Sequence, residues 1–318
     1  MKYRILGKTG LKVSEIGFGA WAIGGNKYGN SYGNTDDAES LKSLTYAFDH
    51  GCNFFDTADL YGYGHSEKLI GSLVSQINRS EIVIATKVGA NFYSGGVKMD
   101  FSPEYIKKAV DQSLLRLNTD YIDLYQLHNP SLEIIKDGEV FEVMRELKKL
   151  GKIRAFGVSI DESIEGIEAI KWAGVDTVQL VYNILDPEAK DEFFEQAELA
   201  KIGLIIREPL ANGLLTGKYN ENSYFPFGDI RHSWPVSFII HRTNSAKQIK
   251  KLLSDEVDTL TKFSLKFASN PLCVGTVIPG CKNLEQTIEN ILAGDIRQLN
   301  QHEINLSMNM QSRRFDTY

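Results

Sequence analysis

From about residue 50 onward, short apolar runs rich in β-branched residues alternate with amphipathic stretches of helical length. The apolar runs are EIGFG (residues 15–19), CNFFD (52–56), IVIATK (82–87), IDLYQLH (122–128), AFGVS (155–159), TVQLVY (177–182), GLIIRE (203–208) and CVGTVIP (273–279). Alternation of this kind predicts parallel strands joined by crossover helices. Helix starts are legible between the runs. In Ser102-Pro103-Glu104 a capping hydroxyl precedes a proline suited to the first helical position, and Asp161-Glu162-Ser163 and Asn283-Leu284-Glu285-Gln286 read in the same way. One helix end is equally plain: the stripe of VFEVMRELKKL stops at basic residues followed by Gly151. The opening YRILGKTGLKVSE alternates on both sides of Lys8-Thr9-Gly10, which predicts a hairpin closing one end of the molecule.

Eight strands with helices between them suit either an open doubly wound sheet or a closed (β/α)8 barrel. The open nucleotide-binding sheet carries a GxGxxG turn leading directly into a helix. Here Gly17-Phe18-Gly19 runs instead into the long glycine-rich loop AWAIGGNKYGNSYG. The closed barrel predicts polar side chains at the carboxyl ends of several different strands. The pattern fits that, and residues 1–318 are read as one barrel domain of class α/β, since no proline-, glycine- or serine-rich linker divides them.

With 318 residues, 42% of them hydrophobic and 24% charged, the chain has the material for one large core. A net charge of −6 with scattered basic residues lacks the electropositive stripe of a nucleic-acid binder. No run approaches the roughly twenty apolar residues of a membrane span, and MKYRILGKTGLKVSEIG has no apolar signal core. A soluble cytoplasmic protein is the expectation. Cys52, Cys273 and Cys281 form neither a CxxC pair nor a cluster with metal-ligand spacing, so neither disulfides nor a metal are expected.

Asp56, Lys87 and His128 terminate three consecutive apolar strands, and Tyr61 follows Asp56 by five residues. Taken singly, each has an ordinary structural explanation: a turn cap, a snorkelling lysine, a satisfied histidine, a loop aromatic. A barrel would bring all four to one rim, where they suit proton transfer to a carbonyl oxygen. A tyrosine, with an ordinary pKa of about 10, needs a neighbouring charge to act near neutrality. Lys87 would stabilise the phenolate, Asp56 would hold Lys87, and His128 would orient the carbonyl. None of the four is a hydride source, so a reduced nicotinamide would have to supply one.

The ordered series DTADLYGYGHSE, IATKVG, DLYQLHNP, GVS, PLANGLLTGKY and VIPG resembles the aldo-keto reductase superfamily, and the resemblance runs from YRILGKTGLKVSEIGFGAW to VIPGCKNLEQTIEN. It implies Tyr61, Asp56, Lys87 and His128 as the catalytic four, and a nicotinamide cofactor lying extended on the barrel rim. In its terms Ser159 and Gln179 hold the carboxamide, and Arg207 stands where many relatives stack a tyrosine on the ring. The loop from Leu210 through Gly213 to Lys218 embraces the pyrophosphate, unless Lys218 is an ordinary surface lysine. Gly280, Lys282, Gln286, Glu289 and Asn290 form the adenosine end. Two departures stand out. The family's GVSN reads GVSI here, so Ile160 either forfeits an amide contact or packs behind the strand end. The basic residues that often grip a 2′-phosphate are replaced by Gly280 and Gln286, leaving Lys282 as the cation of that segment; Gln286 also stands at capping spacing from Asn283. NADP(H) is the expected cofactor, with NAD(H) as the alternative.

A small carbonyl or alcohol, such as a sugar or an aromatic aldehyde, is the expected substrate, lined by Trp21, Tyr61, Tyr93 and Trp234. The pocket would be built from the loops ANFYSGGVKMD and NSYFPFGDIRHSWPVSF and from the tail ending RRFDTY. The rival readings are a cofactor-binding regulatory subunit, which a long docking extension would favour, and a phosphate- or metal-dependent barrel enzyme, whose signatures do not stand out.

Overall fold

A computed structural model describes residues 1–27, 31–93 and 95–310. Strands β1 (Tyr3–Ile5) and β2 (Lys12–Ser14) pair antiparallel as the N-terminal hairpin. Then follow β3 (Phe18–Gly19), α1 (Asp37–Asp49), β4 (Phe54–Asp56), α2 (His65–Val74), β5 (Val83–Val88), the small hairpin β6 (Ala90–Asn91) and β7 (Lys98–Met99), α3 (Pro103–Leu117) and β8 (Ile122–His128). The second half comprises α4 (Leu132–Asp137), α5 (Glu139–Lys149), β9 (Ile153–Ser159), α6 (Ser163–Ala169), β10 (Val175–Val181), α7 (Glu195–Leu199), β11 (Gly203–Arg207), α8 (Val236–Ile249), α9 (Leu260–Ser269), β12 (Val274–Val277), α10 (Leu284–Leu292) and α11 (Gln301–Asn309).

Each of the eight apolar runs forms a strand of one parallel sheet, ordered β3-β4-β5-β8-β9-β10-β11-β12. Its two edges meet: Ile16 pairs with Val277 and Gly19 with Gly280, both parallel. The Gly17 amide donates to the Val277 carbonyl at 2.8 Å, and the Val277 amide donates to the Glu15 carbonyl at 3.0 Å. A closed barrel leaves no unpaired edge, and it gathers the carboxyl ends of all eight strands on one face.

The opposite face is plugged by the hairpin. Leu6, Leu11 and Val13 share one buried apolar cluster with Phe54, Val83, Ala85, Leu124, Ala155, Ile205 and Ile278. Two strand glycines make room for the plug, since a Cβ on Gly203 or Gly275 would lie 2.8 or 2.4 Å from the Leu6 side chain. Below the plug the buried Glu15 and Lys266 form an ion pair at 2.7 Å, with Arg4 on the other carboxylate oxygen, also at 2.7 Å. A paired charge is the form in which these groups tolerate burial.

The helix caps follow the sequence closely. Ser102 accepts from the Tyr105 amide with Pro103 at the first helical position, and Asn283 accepts from the Gln286 amide. For α6 the cap is Glu162, in a reciprocal box with Glu165, while Asp161 is turned towards Arg207. Among the described residues, no helix is long and apolar enough to cross a membrane.

Candidate active site

Side chains on a strand alternate between faces, so Asp56, Lys87 and His128, at or near the ends of β4, β5 and β8, all enter the barrel mouth. Tyr61 is carried there by the turn after β4, whose Tyr61 amide donates to the Ala58 carbonyl at 3.2 Å. The turn needs Gly62: its φ is 61°, and a Cβ there would lie 2.1 Å from the Gly24 carbonyl oxygen.

Lys87 is fully buried and spends its three donors on three acceptors. Its Nζ lies 2.5 Å from Asp56 Oδ1, 2.9 Å from the Thr57 carbonyl oxygen and 3.2 Å from Tyr61 Oη. Burial alone would lower the Lys87 pKa, but Asp56 and Tyr61 outweigh it and hold the ammonium above its ordinary value. For Tyr61 the balance runs the other way: burial, helped by Asp56, raises the phenol above its ordinary value, and Lys87 offsets only part of that. Lys87 acts in the direction the sequence suggested, lowering the phenol pKa by its charge and its hydrogen bond, but burial outweighs it. Tyr61 keeps its proton, the form required of a general acid. The His128 ring stands edge-on to Tyr61, with centroids 5.8 Å apart. Burial, followed by the Lys87 and Arg207 charges, pushes the imidazole pKa well below its ordinary value, so His128 is neutral.

From this group a cleft of about 1020 Å³ runs across the carboxyl ends of the strands. Ser159, Gln179, Arg207, Leu210, Gly213, Lys218, Gly280, Lys282, Gln286, Glu289 and Asn290 all line it, as do Trp21 and Trp234. Lys87 lies beneath the floor. Tyr93 is elsewhere: it is exposed after β6, its hydroxyl accepts from Arg116 Nη1 at 3.0 Å, and its ring packs on Phe92. It does not line the cleft, because Arg116 and Phe92 hold it on the outer surface. The tail residues RRFDTY lie outside the described residues.

The Arg207 guanidinium is fixed from three sides. Nη2 donates to Asp161 Oδ1 at 2.6 Å and to the Ile160 carbonyl at 3.0 Å, while Nη1 donates to Glu208 Oε1 at 2.7 Å. Asn129 braces Asp161 through bonds of 2.9 and 3.0 Å. On the far side of Glu208 the chain of contacts continues across the cleft: Asn212 Nδ2 donates to Glu208 Oε2 at 2.6 Å, and Tyr32 Oη donates to Asn212 Oδ1 at 2.5 Å. Lys282 Nζ in turn donates to the Tyr32 carbonyl at 2.9 Å. Its pKa is lowered by partial burial and by the nearby Arg231 and Lys218 charges, with Asp229 opposing, so an anion bound there would relieve the repulsion. Gln286 accepts from the Lys282 amide at 2.9 Å while its own amide is capped by Asn283.

Ile160 is buried and lies away from the cleft. A Cβ built on Gly166 would meet the Ile160 Cδ1 at 2.9 Å and the Phe193 ring at 3.0 Å, which places the side chain between barrel wall and α6. Of the two readings of GVSI, packing behind the strand end is the one the structure bears out. Sequence reasoning missed Gln126, Tyr32, Asp161, Asn212 and Arg231. Gln126 was within reach, since it stands two residues before His128 and so shares its face. Arg231 makes a bidentate pair with Asp229 and stacks on Phe225, 4.2 Å from the ring centroid, which needed the folded loop to be seen. Among the described residues, no group of three or more His, Cys, Asp or Glu side chains could hold a metal ion.

Two outcomes follow from these placements. Ile160→Asn puts an amide into apolar packing, so urea unfolding should show a loss of about 1–3 kcal/mol without tighter nucleotide binding; an equally stable variant that binds nucleotide more tightly would put the side chain in the cleft. For His128 the folded pKa lies below the unfolded value of about 6.5, so the unfolded chain binds a proton that the folded one refuses. Stability is then lost as pH falls below about 6.5, by roughly 1.4 kcal/mol per pH unit from this group. His128→Asn should lack that part of the slope between pH 6.5 and 5.5, and an unchanged slope would mean that the folded protein accepts the proton.

The family model described as "Aldo/keto reductase family" matches residues 15–308. The "Uncharacterized oxidoreductase YqkF" of Bacillus subtilis (strain 168) is 33% identical over 96% of this chain and 94% of its own length. The "NADH-specific methylglyoxal reductase" of Escherichia coli (strain K12) is 33% identical over 72% of this chain and 73% of its own. Among solved structures, "aldo-keto reductase AKR11C1 from Bacillus halodurans (holo form)" superposes with a TM-score of 0.81 at 30% identity, covering 98% of this chain and 96% of that one. With a family match over most of its length and relatives of this similarity, the chain belongs to the aldo/keto reductase family of oxidoreductases.

Proposed function

We propose that the protein interconverts an aldehyde or ketone and the corresponding alcohol, with Tyr61 as the general acid and base. The observation that carries this reading is Lys87 Nζ, held 2.5 Å from Asp56 and 3.2 Å from Tyr61 just beneath the floor of an open cleft. A nicotinamide, seated by Ser159, Gln179 and Arg207, would supply the hydride that no side chain here can give.

The cleft suits an extended dinucleotide. It offers hydroxyl and amide groups near the phenol, a planar guanidinium beside them, and cations at the far end. Tyr61 gives its proton to the carbonyl oxygen as charge develops there, and the Lys87 ammonium stabilises the phenolate left behind. Asp56 keeps Lys87 charged and aimed. The neutral His128 donates one ring N–H to the carbonyl oxygen without competing for the proton. Phenol, ammonium and imidazole thus surround the one oxygen whose charge changes.

NADP(H) is the favoured nucleotide, supported by Lys282 and Lys218 meeting beside Arg231 at the adenosine end. NAD(H) is the alternative, since Arg231 is already neutralised by Asp229 and one relative is named as NADH-specific. For the substrate, Trp21 and Trp234 with Asn129 at the cleft wall suit a neutral, hydroxylated or aromatic carbonyl.

Tyr61→Phe should reduce turnover of an activated aromatic aldehyde by about 10²–10⁴-fold or more, while the dissociation constant for reduced nucleotide stays within about twofold. The decay of reduced-nicotinamide absorbance with NADPH and with NADH, alongside a binding titration, checks both halves. Substantial turnover by the phenylalanine variant would remove Tyr61 from the role.

A further inference from the structure

Inside the barrel, one layer below the rim, sits an amide that the proton-transfer group does not obviously require. Gln126 is fully buried on β8, on the same face as His128. A buried amide is costly unless both of its ends are satisfied, and a leucine would fill such a place in a barrel interior at no polar cost. Both ends are satisfied. Gln126 Nε2 donates to Asp56 Oδ2 at 3.2 Å, and Gln126 Oε1 accepts from Gln179 Nε2 at 3.3 Å. Gln179 Nε2 also donates to Asp56 Oδ2, at 2.8 Å.

The polarity of this arrangement is dictated from one end. A carboxylate paired with an ammonium only accepts, so Asp56 requires N–H from both amides that reach it. With its N–H on Asp56, Gln126 turns its carbonyl oxygen to Gln179. Gln179 then has both amide hydrogens committed, one to Asp56 and one to Gln126. Its Oε1, which has no partner among the described residues, is what Gln179 can offer to the cleft that it lines.

We infer that Gln126 is a positioning residue: it fixes the Gln179 amide so that the cleft is offered an acceptor, and thereby links the seat of the nicotinamide carboxamide to the Asp56–Lys87–Tyr61 group. The inference rests on the function proposed above, since an acceptor at Gln179 matters only if a carboxamide N–H is to be received. Without Gln126 the second Gln179 hydrogen loses its partner, and the amide, left with its bond to Asp56 alone, is held at one point instead of two. Asp56 also loses one of the two amides on Oδ2. One substitution therefore disturbs ring binding and proton transfer together, although Gln126 does not line the cleft.

The test uses Gln126→Leu, with the unbranched Gln126→Met as a second variant in case leucine packs poorly. Affinity is measured for reduced nucleotide and for the same nucleotide without its nicotinamide, that is, ADP-ribose or its 2′-phosphate. The expected result is about tenfold weaker binding of the whole nucleotide, binding of the fragment within about twofold of the natural protein, and a displaced pH profile of kcat. Combining Gln126→Leu with Gln179→Leu should cost little more than the worse single change, because the two amides act as a unit. Equal weakening of nucleotide and fragment, or a variant indistinguishable from the natural protein, would overturn the inference and leave the proposed function standing. A natural protein that binds neither NADPH nor NADH would overturn both.

Discussion

The ion pair between Lys87 and Asp56 is the constraint around which the rest of the site is arranged. An ammonium that water does not reach remains charged only if every one of its hydrogens meets an acceptor. Here the acceptors are a carboxylate, a backbone carbonyl and the Tyr61 hydroxyl, each delivered from the β4 strand or the turn that follows it. The carboxylate is an equal burden, and two interior amides share its second oxygen. Satisfying one buried charge thus fixes the phenol on one side and Gln179 on the other. Under the proposed function, proton transfer and ring seating would belong to a single network.

The barrel makes such a network possible by geometry alone. Closure of β3 onto β12 places strand ends distant in sequence within hydrogen-bonding reach, and the hairpin plug fills the opposite end with apolar side chains. Above the rim, a second chain of contacts runs from Asp161 through Arg207, Glu208 and Asn212 to Tyr32. Several of its members or neighbours hold a left-handed backbone without being glycine: Asn129, Glu208, Ala211 and Asn212 have φ of 53°, 53°, 47° and 55°. Such conformations cost of order 1 kcal/mol each and persist where surrounding bonds hold them. Asn212 is held by Glu208 and Tyr32, and Glu208 by Arg207.

Much of this was legible in the chain itself. The strands were readable because a barrel strand buried on both faces is a nearly unbroken apolar run, and Asp56, Lys87 and His128 were conspicuous because each ends such a run. The helix caps at Ser102 and Asn283 were readable because capping is local. What remained hidden depends on direction or on distance. Gln126 lay within an apolar run, and only its parity with His128 showed that it faces inward. By the same parity, with Ser159 facing in, Ile160 had to face out. Tyr32 and Asn212 meet across 180 positions, and Tyr93 is drawn to the outer surface by Arg116; no local pattern announces either. That burial raises the phenol pKa despite Lys87 was also hidden, because sequence shows which charge stands nearby but not how deeply the group is buried.

The central claim is that this cleft carries hydride between a nicotinamide and a carbonyl carbon. Reduced nucleotide labelled with deuterium at C4, supplied separately as each of the two epimers with an activated aldehyde, addresses it directly when the alcohol is weighed by mass spectrometry. The account predicts one deuterium on the former carbonyl carbon, delivered from one epimer only, because a ring held as proposed by Ser159, Gln179 and Arg207 would present a single face. Alcohol without deuterium from either epimer, or no alcohol from a protein shown to bind the nucleotide, would contradict it.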